Sequence, residues 1–162
     1  MAGTTETDQG TVRWLTDEEQ RAWRSFMAGS RRLVARLERD LKAQGLTHDD
    51  YAVLVQLSEA PDERLRMSAL AERSVESRSR LSHHVGRLEQ RGLVERASCP
   101  DDRRGSWAVL TPAGRKLMEA VAPHHVSGVR EHFLDHVSPD ELQLIGEVFD
   151  RIDAGFRPDQ GC

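Results

Sequence analysis

The chain has 162 residues, 38% of them hydrophobic and 31% charged, with 12 glycines and 6 prolines. That is about one globular domain, neither collagen-like nor disordered throughout. No apolar run approaches the roughly 18 residues of a membrane-spanning helix. The polar, acidic start, residues 1–10, lacks the basic-then-apolar order of a secretory signal, so a cytoplasmic protein without membrane partners is expected.

Two cysteines, Cys99 and Cys162, are too few for a disulfide scaffold or, alone, a zinc cage. The net charge of −4 argues at first against a nucleic-acid partner. Its distribution points the other way. Residues 61–110 carry ten cations against eight carboxylates, while both flanks are net acidic. All ten of those cations are arginine, the side chain suited to forked recognition of phosphate and guanine.

In chain order, residues 1–13 read as a disordered tail. Thr16-Asp17-Glu18-Glu19 is a capping box. Behind it Trp23, Phe26, Met27, Leu33, Val34, Leu37 and Leu41 fall on one helical stripe that Gly45 stops. At about 28 residues the helix is longer than most. Its stripe requires a large partner such as a second subunit. Thr47-His48-Asp49-Asp50 opens a second helix, dense in apolar residues, that ends at Pro61-Asp62. Ser68 is expected to cap a short helix over 69–73. Ser77 begins another that Gly92 closes, with Leu81, Val85 and Leu88 on its buried side. Two short helices joined so tightly form a helix-turn-helix.

Residues 93–97 and 106–109 alternate as strands around the polar turn Pro100-Asp101-Asp102-Arg103-Arg104-Gly105, which predicts a hairpin. Thr111-Pro112 caps and starts a helix running toward Phe133 and Leu134, kinked at Pro123. Ser138-Pro139-Asp140-Glu141 is a further capping box. It opens a last helix striped by Leu142, Ile145, Val148, Phe149 and Ile152. The expected fold is mostly α with a small β-hairpin wing.

A helix-turn-helix followed directly by a hairpin is a winged helix. Its second helix, residues 77–91, is suited to the major groove, where each base pair shows a distinct donor and acceptor pattern. Ser77, Arg78, Ser79, Arg80, Ser82, His83 and Arg87 supply hydroxyls, guanidiniums and an imidazole for base edges and phosphates. At the wing, residues 99–106, Arg103 and Arg104 are long enough for an adjacent minor groove, with Asp102 orienting an arginine. Arg87 has the alternative of a surface pair with Glu89 or Glu95.

The stretch Met67-Ser68-Ala69-Leu70-Ala71-Glu72 and the stretch Arg87-Leu88-Glu89-Gln90-Arg91-Gly92-Leu93-Val94-Glu95-Arg96 resemble the MarR family of bacterial winged helix-turn-helix regulators. So do Pro100-Asp101-Asp102-Arg103-Arg104 and Leu110-Thr111-Pro112-Ala113-Gly114. The likeness is firm over residues 67–114 and looser over 14–153. It implies a homodimer in which residues 14–46 and 111–155 form a helical dimerisation layer, residues 47–110 form the DNA-binding winged helix-turn-helix, and 156–162 trail as a tail. It also implies double-stranded DNA carrying an inverted repeat as partner, usually for repression. A small aromatic effector is implied in a pocket between layer and reading heads, with Trp23 and Phe26 as candidate lining. The chain departs from the family pattern at Val75 and Glu76, where a glycine is common, and at His84, which faces either DNA or the core.

His125, His132 and His136 recur at helical spacing and offer an alternative, a metal-responsive regulator of the same fold. A histidine-bearing solvent or interface face is the preferred reading, so no metal site or cofactor is assigned. Cys99 on the wing's first strand reads as an unreactive strand residue. The chain lacks a phosphate-cradling glycine loop, a G-x-S-x-G elbow and an H-E-x-x-H motif, so it is not expected to be an enzyme.

Overall fold

The computed structural model describes residues 12–99 and 102–156; the side chains of Cys99, Asp102, Arg103 and Arg104 lie outside the described set. Of the tails expected at 1–13 and 156–162, residues 1–11 and 157–162 lie outside it too. Six α-helices are described: α1 (Asp17–Ala43), α2 (His48–Ser58), α3 (Met67–Arg73), α4 (Arg78–Gln90), α5 (Pro112–His132) and α6 (Pro139–Phe156). Three strands, β1 (Arg64–Arg66), β2 (Val94–Cys99) and β3 (Asp102–Leu110), form one antiparallel sheet in the order β1-β3-β2.

Helix starts follow the sequence signals closely. Thr16 with Glu19, and Thr47 with Asp50, form reciprocal capping boxes. The Ser77 hydroxyl accepts from the Arg80 amide at 3.3 Å. Ser138 and Glu141 cap α6 reciprocally. Ser68 does not cap α3: the helix begins at Met67, its N-cap is Arg66, and no side chain bonds there. The preceding residues are instead drawn into β1, where Arg64, Leu65 and Arg66 pair with Val109, Ala108 and Trp107. That strand forms only because β3 is beside it.

Three helices end in the same two-bond closure. After α1 the Gly45 and Leu46 amides donate to Lys42 and Leu41. After α4 the Gly92 and Leu93 amides donate to Glu89 and Leu88. After α3 the Val75 and Glu76 amides donate to Glu72 and Ala71. This closure requires a left-handed residue, usually glycine. Gly45 (φ +78°) and Gly92 (φ +68°) meet the requirement; Val75 adopts φ +53° with a β-branched side chain.

The core lies under the helix-turn-helix. Leu41, Leu46, Leu54, Leu57, Leu70, Leu81, Val85, Leu88, Val94 and Val121 are almost wholly buried. Each such side chain contributes about 1.5–3 kcal/mol of burial, which fixes the inner face of α4 and the base of the wing. Thr111 joins that base to α5. Its hydroxyl donates to the Gly92 carbonyl at 2.7 Å and accepts from the Gly114 amide at 3.0 Å.

The α1 stripe divides into two halves. Leu37 and Leu41 are buried, but Trp23, Phe26 and Val34 are exposed. No residue of α6 is buried. Phe149 of α6 meets Phe26 with ring centroids 5.7 Å apart. α5 is continuous across Pro123 and ends at His132, short of the expected Phe133–Leu134. Phe133 leaves helical geometry, and Leu134–His136 forms a separate 3₁₀ turn.

Candidate nucleic-acid interface

The first turns of α4 present Ser77, Arg78, Ser79, Arg80 and His83 to solvent, while Leu81, His84, Val85 and Leu88 turn inward. The helix is thereby split into a locked apolar face and a free polar one. Ser82 is half-buried, and Arg96 of β2 donates to its carbonyl at 2.7 Å and its hydroxyl at 3.2 Å. Arg96 also faces Glu89 at 3.6 Å.

His84 faces inward. Its Nδ1 lies 2.9 Å from an Arg87 nitrogen, and its Nε2 faces Asp49 and Glu76. Arg87 pairs with Asp50 at 2.7 Å, and neither Glu89 nor Glu95 takes it. Burial pushes the Asp50 carboxyl up, but the hydrogen bonds from Arg87 and Thr47 outweigh it and hold the group below the usual carboxylate range. Asp50 thus caps α2 and anchors α4 at once, which is the local reason the recognition helix sits where it does.

Beside the exposed turn is a groove of about 390 Å³ lined by Arg66, Ser68, Arg78, Ser82, Arg96 and Ser106, with Met67 and Gly105. Among the described residues no carboxylate lines it. Arg64 and Arg66 on β1 both lie over the Trp107 ring of β3, at 5.1 and 5.5 Å from its centroid. Three guanidiniums and three hydroxyls lining one concave surface suit an anion such as a phosphodiester. Sequence reasoning passed over Arg66, Arg96 and Trp107. The Arg64-Leu65-Arg66 alternation was the available signal, but three residues are too few to announce a strand. Asp102 and Arg103 and Arg104 lie on β3, with side chains outside the described set.

The remaining candidates separate. Trp23 and Phe26 stack on each other at 5.9 Å and line no described cavity. A cavity of about 480 Å³ does lie further along α1, bounded by Ser30, Arg31, Val34, Ala35, Glu38, His48 and Asp49. The α5 histidines do not share a helical face as the spacing implied, because His136 stands on the separate 3₁₀ turn. His125 packs on Tyr51, ring centroids 4.5 Å apart, and His132 faces Asp40 at 3.6 Å. Burial and the neighbouring His48 both lower the His125 pKa below its ordinary value.

The fold recurs in solved structures. AbsC, a MarR family transcriptional regulator from Streptomyces coelicolor, is 47% identical, with TM-score 0.88 over 90% of this chain and 99% of that one. Sco3205, another MarR family regulator from the same organism, was solved in complex with DNA. It is 41% identical, with TM-score 0.90 over 93% of this chain and 95% of that one.

The chain belongs to the MarR family.

The sequence profile of the MarR family matches residues 44–105. The transcriptional regulator HosA of Escherichia coli O111:H- is 35% identical over 103 residues, 64% of this chain and 74% of HosA. The transcriptional repressor YetL of Bacillus subtilis is 27% identical over 119 residues, 72% of this chain and 71% of YetL. MarR proteins are DNA-binding transcriptional regulators and not enzymes, and this chain is one of them. Its described helices include none long and apolar enough to cross a membrane.

Proposed function

We propose that this MarR protein is a homodimeric repressor that reads an inverted repeat in double-stranded DNA. The observation that carries the reading is the exposed turn of α4 (Ser77, Arg78, Ser79, Arg80 and His83) beside the arginine groove, which no carboxylate lines among the described residues. Those residues meet base edges and phosphates in the major groove, and Ser82 lines the floor beside them. Arg87 acts from within, by fixing the helix through Asp50. The wing, residues 99–106, reaches the minor groove through Arg103 and Arg104, with Asp102 orienting one of them.

The half-exposed stripes of α1 and α6 support the dimer, because two helices do not leave Trp23, Phe26, Leu142, Phe149 and Ile152 to water without a partner. Trp23 and Phe26 are therefore assigned to that interface ahead of an effector pocket. We assign the effector, a small aromatic acid, instead to the cavity between α1 and α2, whose lining includes the cation of Arg31 with Val34 and Ala35. Repression is supported by the likeness to YetL.

Selection from a randomised duplex pool at two salt concentrations tests the reading. The expected result is an inverted repeat with half-sites about 34–36 Å apart, weakening steeply with salt as phosphates are neutralised. No enrichment at low salt overturns it. Arg103→Ala with Arg104→Ala is expected to lower affinity about tenfold or more; unchanged affinity removes the wing from the interface.

A further inference from the structure

Beneath the DNA-facing side of α4 lies a polar cluster that DNA reading leaves unused. Asp49 stands on the first turn of α2, Glu76 in the turn between α3 and α4, and His84 on the second turn of α4. Their candidate ligand atoms all lie within 4.8 Å of one another. His84 Nε2 is 3.5 Å from Asp49 Oδ2 and 3.6 Å from Glu76 Oε1. Those separations are long for N–H···O hydrogen bonds. They match the edge of a tetrahedron whose corners stand about 2.1 Å from a zinc ion, which is about 3.4 Å.

The surroundings point the same way. The His84 side chain is nine-tenths buried and aims Nε2 at both carboxylates. Glu76 is nearly as enclosed, and its second oxygen, Oε2, is buried with no hydrogen-bond partner. Two carboxylates facing one another in a half-dry pocket repel unless a cation joins them. Arg87 does not fill that place: it touches the ring's other nitrogen and is held by Asp50. Asp49 is 41% exposed, which leaves one side of the cluster open to water.

We propose that Asp49, Glu76 and His84 bind one zinc ion, with Nε2 and two carboxylate oxygens as ligands and water in the fourth position. Zinc accepts this mixed set in tetrahedral geometry. Magnesium requires octahedral neighbours about 3.0 Å apart, closer than the observed edges. Arg87 only donates, so Nδ1 accepts its hydrogen bond and the ring proton sits on Nε2. Loading zinc displaces that proton, which moves to Nδ1; Arg87 then releases the ring and keeps Asp50. The ion joins α2, the turn at Val75 and the recognition helix into one unit. The site is distinct from the α5 histidines and does not rest on how the chain reads DNA.

The test is calorimetric titration of the chelator-stripped, dialysed full chain with zinc chloride and, separately, magnesium chloride, with melting temperature recorded alongside. The expected result is one zinc per chain, a raised melting temperature, and at least tenfold preference over magnesium. Glu76→Gln keeps the side chain's shape and is expected to weaken zinc at least tenfold. Asp49→Asn, at the half-exposed ligand, provides the same reading should Glu76→Gln fail to fold. No zinc uptake by the wild-type chain overturns the site. Equal uptake by a folded variant also overturns it, and assigns the zinc to other histidines.

Discussion

Among the described residues at positive φ that are not glycine, Asp62, Glu63 and Val75, only Val75 is β-branched, so its backbone most opposes its side chain. It takes the place that glycine fills after α1 and α4, at φ +53°. A non-glycine residue there costs about 1–2 kcal/mol, and glycine's greater freedom in the unfolded chain offsets part of the relief. Val75→Gly is therefore expected to stabilise the fold by about 0.5–1 kcal/mol, a rise of about 1–4 °C in melting temperature. Thermal unfolding checks this; a lower melting temperature would mean that the exposed valine makes a contact in the dimer.

Asp50 is the second decisive residue. Its folded pKa is depressed, so its stabilisation is fully present above the unfolded value of about 3.9. It is lost as pH falls through the folded value. Urea unfolding across pH 2–7 is expected to show an acid decline below about pH 4 that Asp50→Asn lacks. Arg87→Met is expected to cost about 2 kcal/mol at pH 7 by leaving the carboxylate unpaired, the partial exposure of Arg87 keeping the figure modest. A loss under half of that would make the pair peripheral.

At the scale of elements, the joint between wing and α5 is the tightest. Gly114 is buried, and an added Cβ would press on the Leu93 carbonyl and the Leu110 side chain. Gly114→Ala is expected to cost about 1–3 kcal/mol through overpacking. Operator affinity is expected to fall further than stability alone explains, because the wing base must shift. Affinity measured well below the variant's melting temperature separates the two effects; wild-type affinity there would refute the coupling.

The helix starts at Thr16, Thr47, Ser77, Thr111 and Ser138 were legible because a cap is a local hydrogen bond within three residues. The stops at Gly45 and Gly92 were legible for the same reason. β1 was not, since its partner Val109 comes from far along the chain. The exposed residues of α4 were readable from its helical period. The Asp50–Arg87 pair and the Asp49, Glu76, His84 cluster were not, because nothing in local sequence brings three elements to one point. The α5 histidines misled because periodicity assumes an unbroken helix, and Phe133 breaks it.

For the whole molecule, acidic flanks and an arginine-rich middle become a layered body. The groove arginines and the exposed turn of α4 belong to the middle third, while the half-covered stripes of α1 and α6 belong to the flanks. Phe149→Glu places a charge in the proposed interface. It is expected to shift the chain from dimer to monomer in light scattering, with operator affinity falling at least tenfold while a single half-site binds as before. A dimer that persists would move the interface elsewhere.

The Thr111 joint has a geometric corollary. α5 spans 21 residues, about 32 Å at 1.5 Å per residue. A tilt of about 5° about its far end carries Thr111, and the wing pinned to it, through about 3 Å, close to the 3.4 Å step between neighbouring base pairs. A rod this long, fastened at its tip by the Thr111 hydroxyl and amide, makes the register of the reading heads on the duplex a sensitive function of a small angle. Matching the DNA is then a matter of goniometry as much as of chemistry.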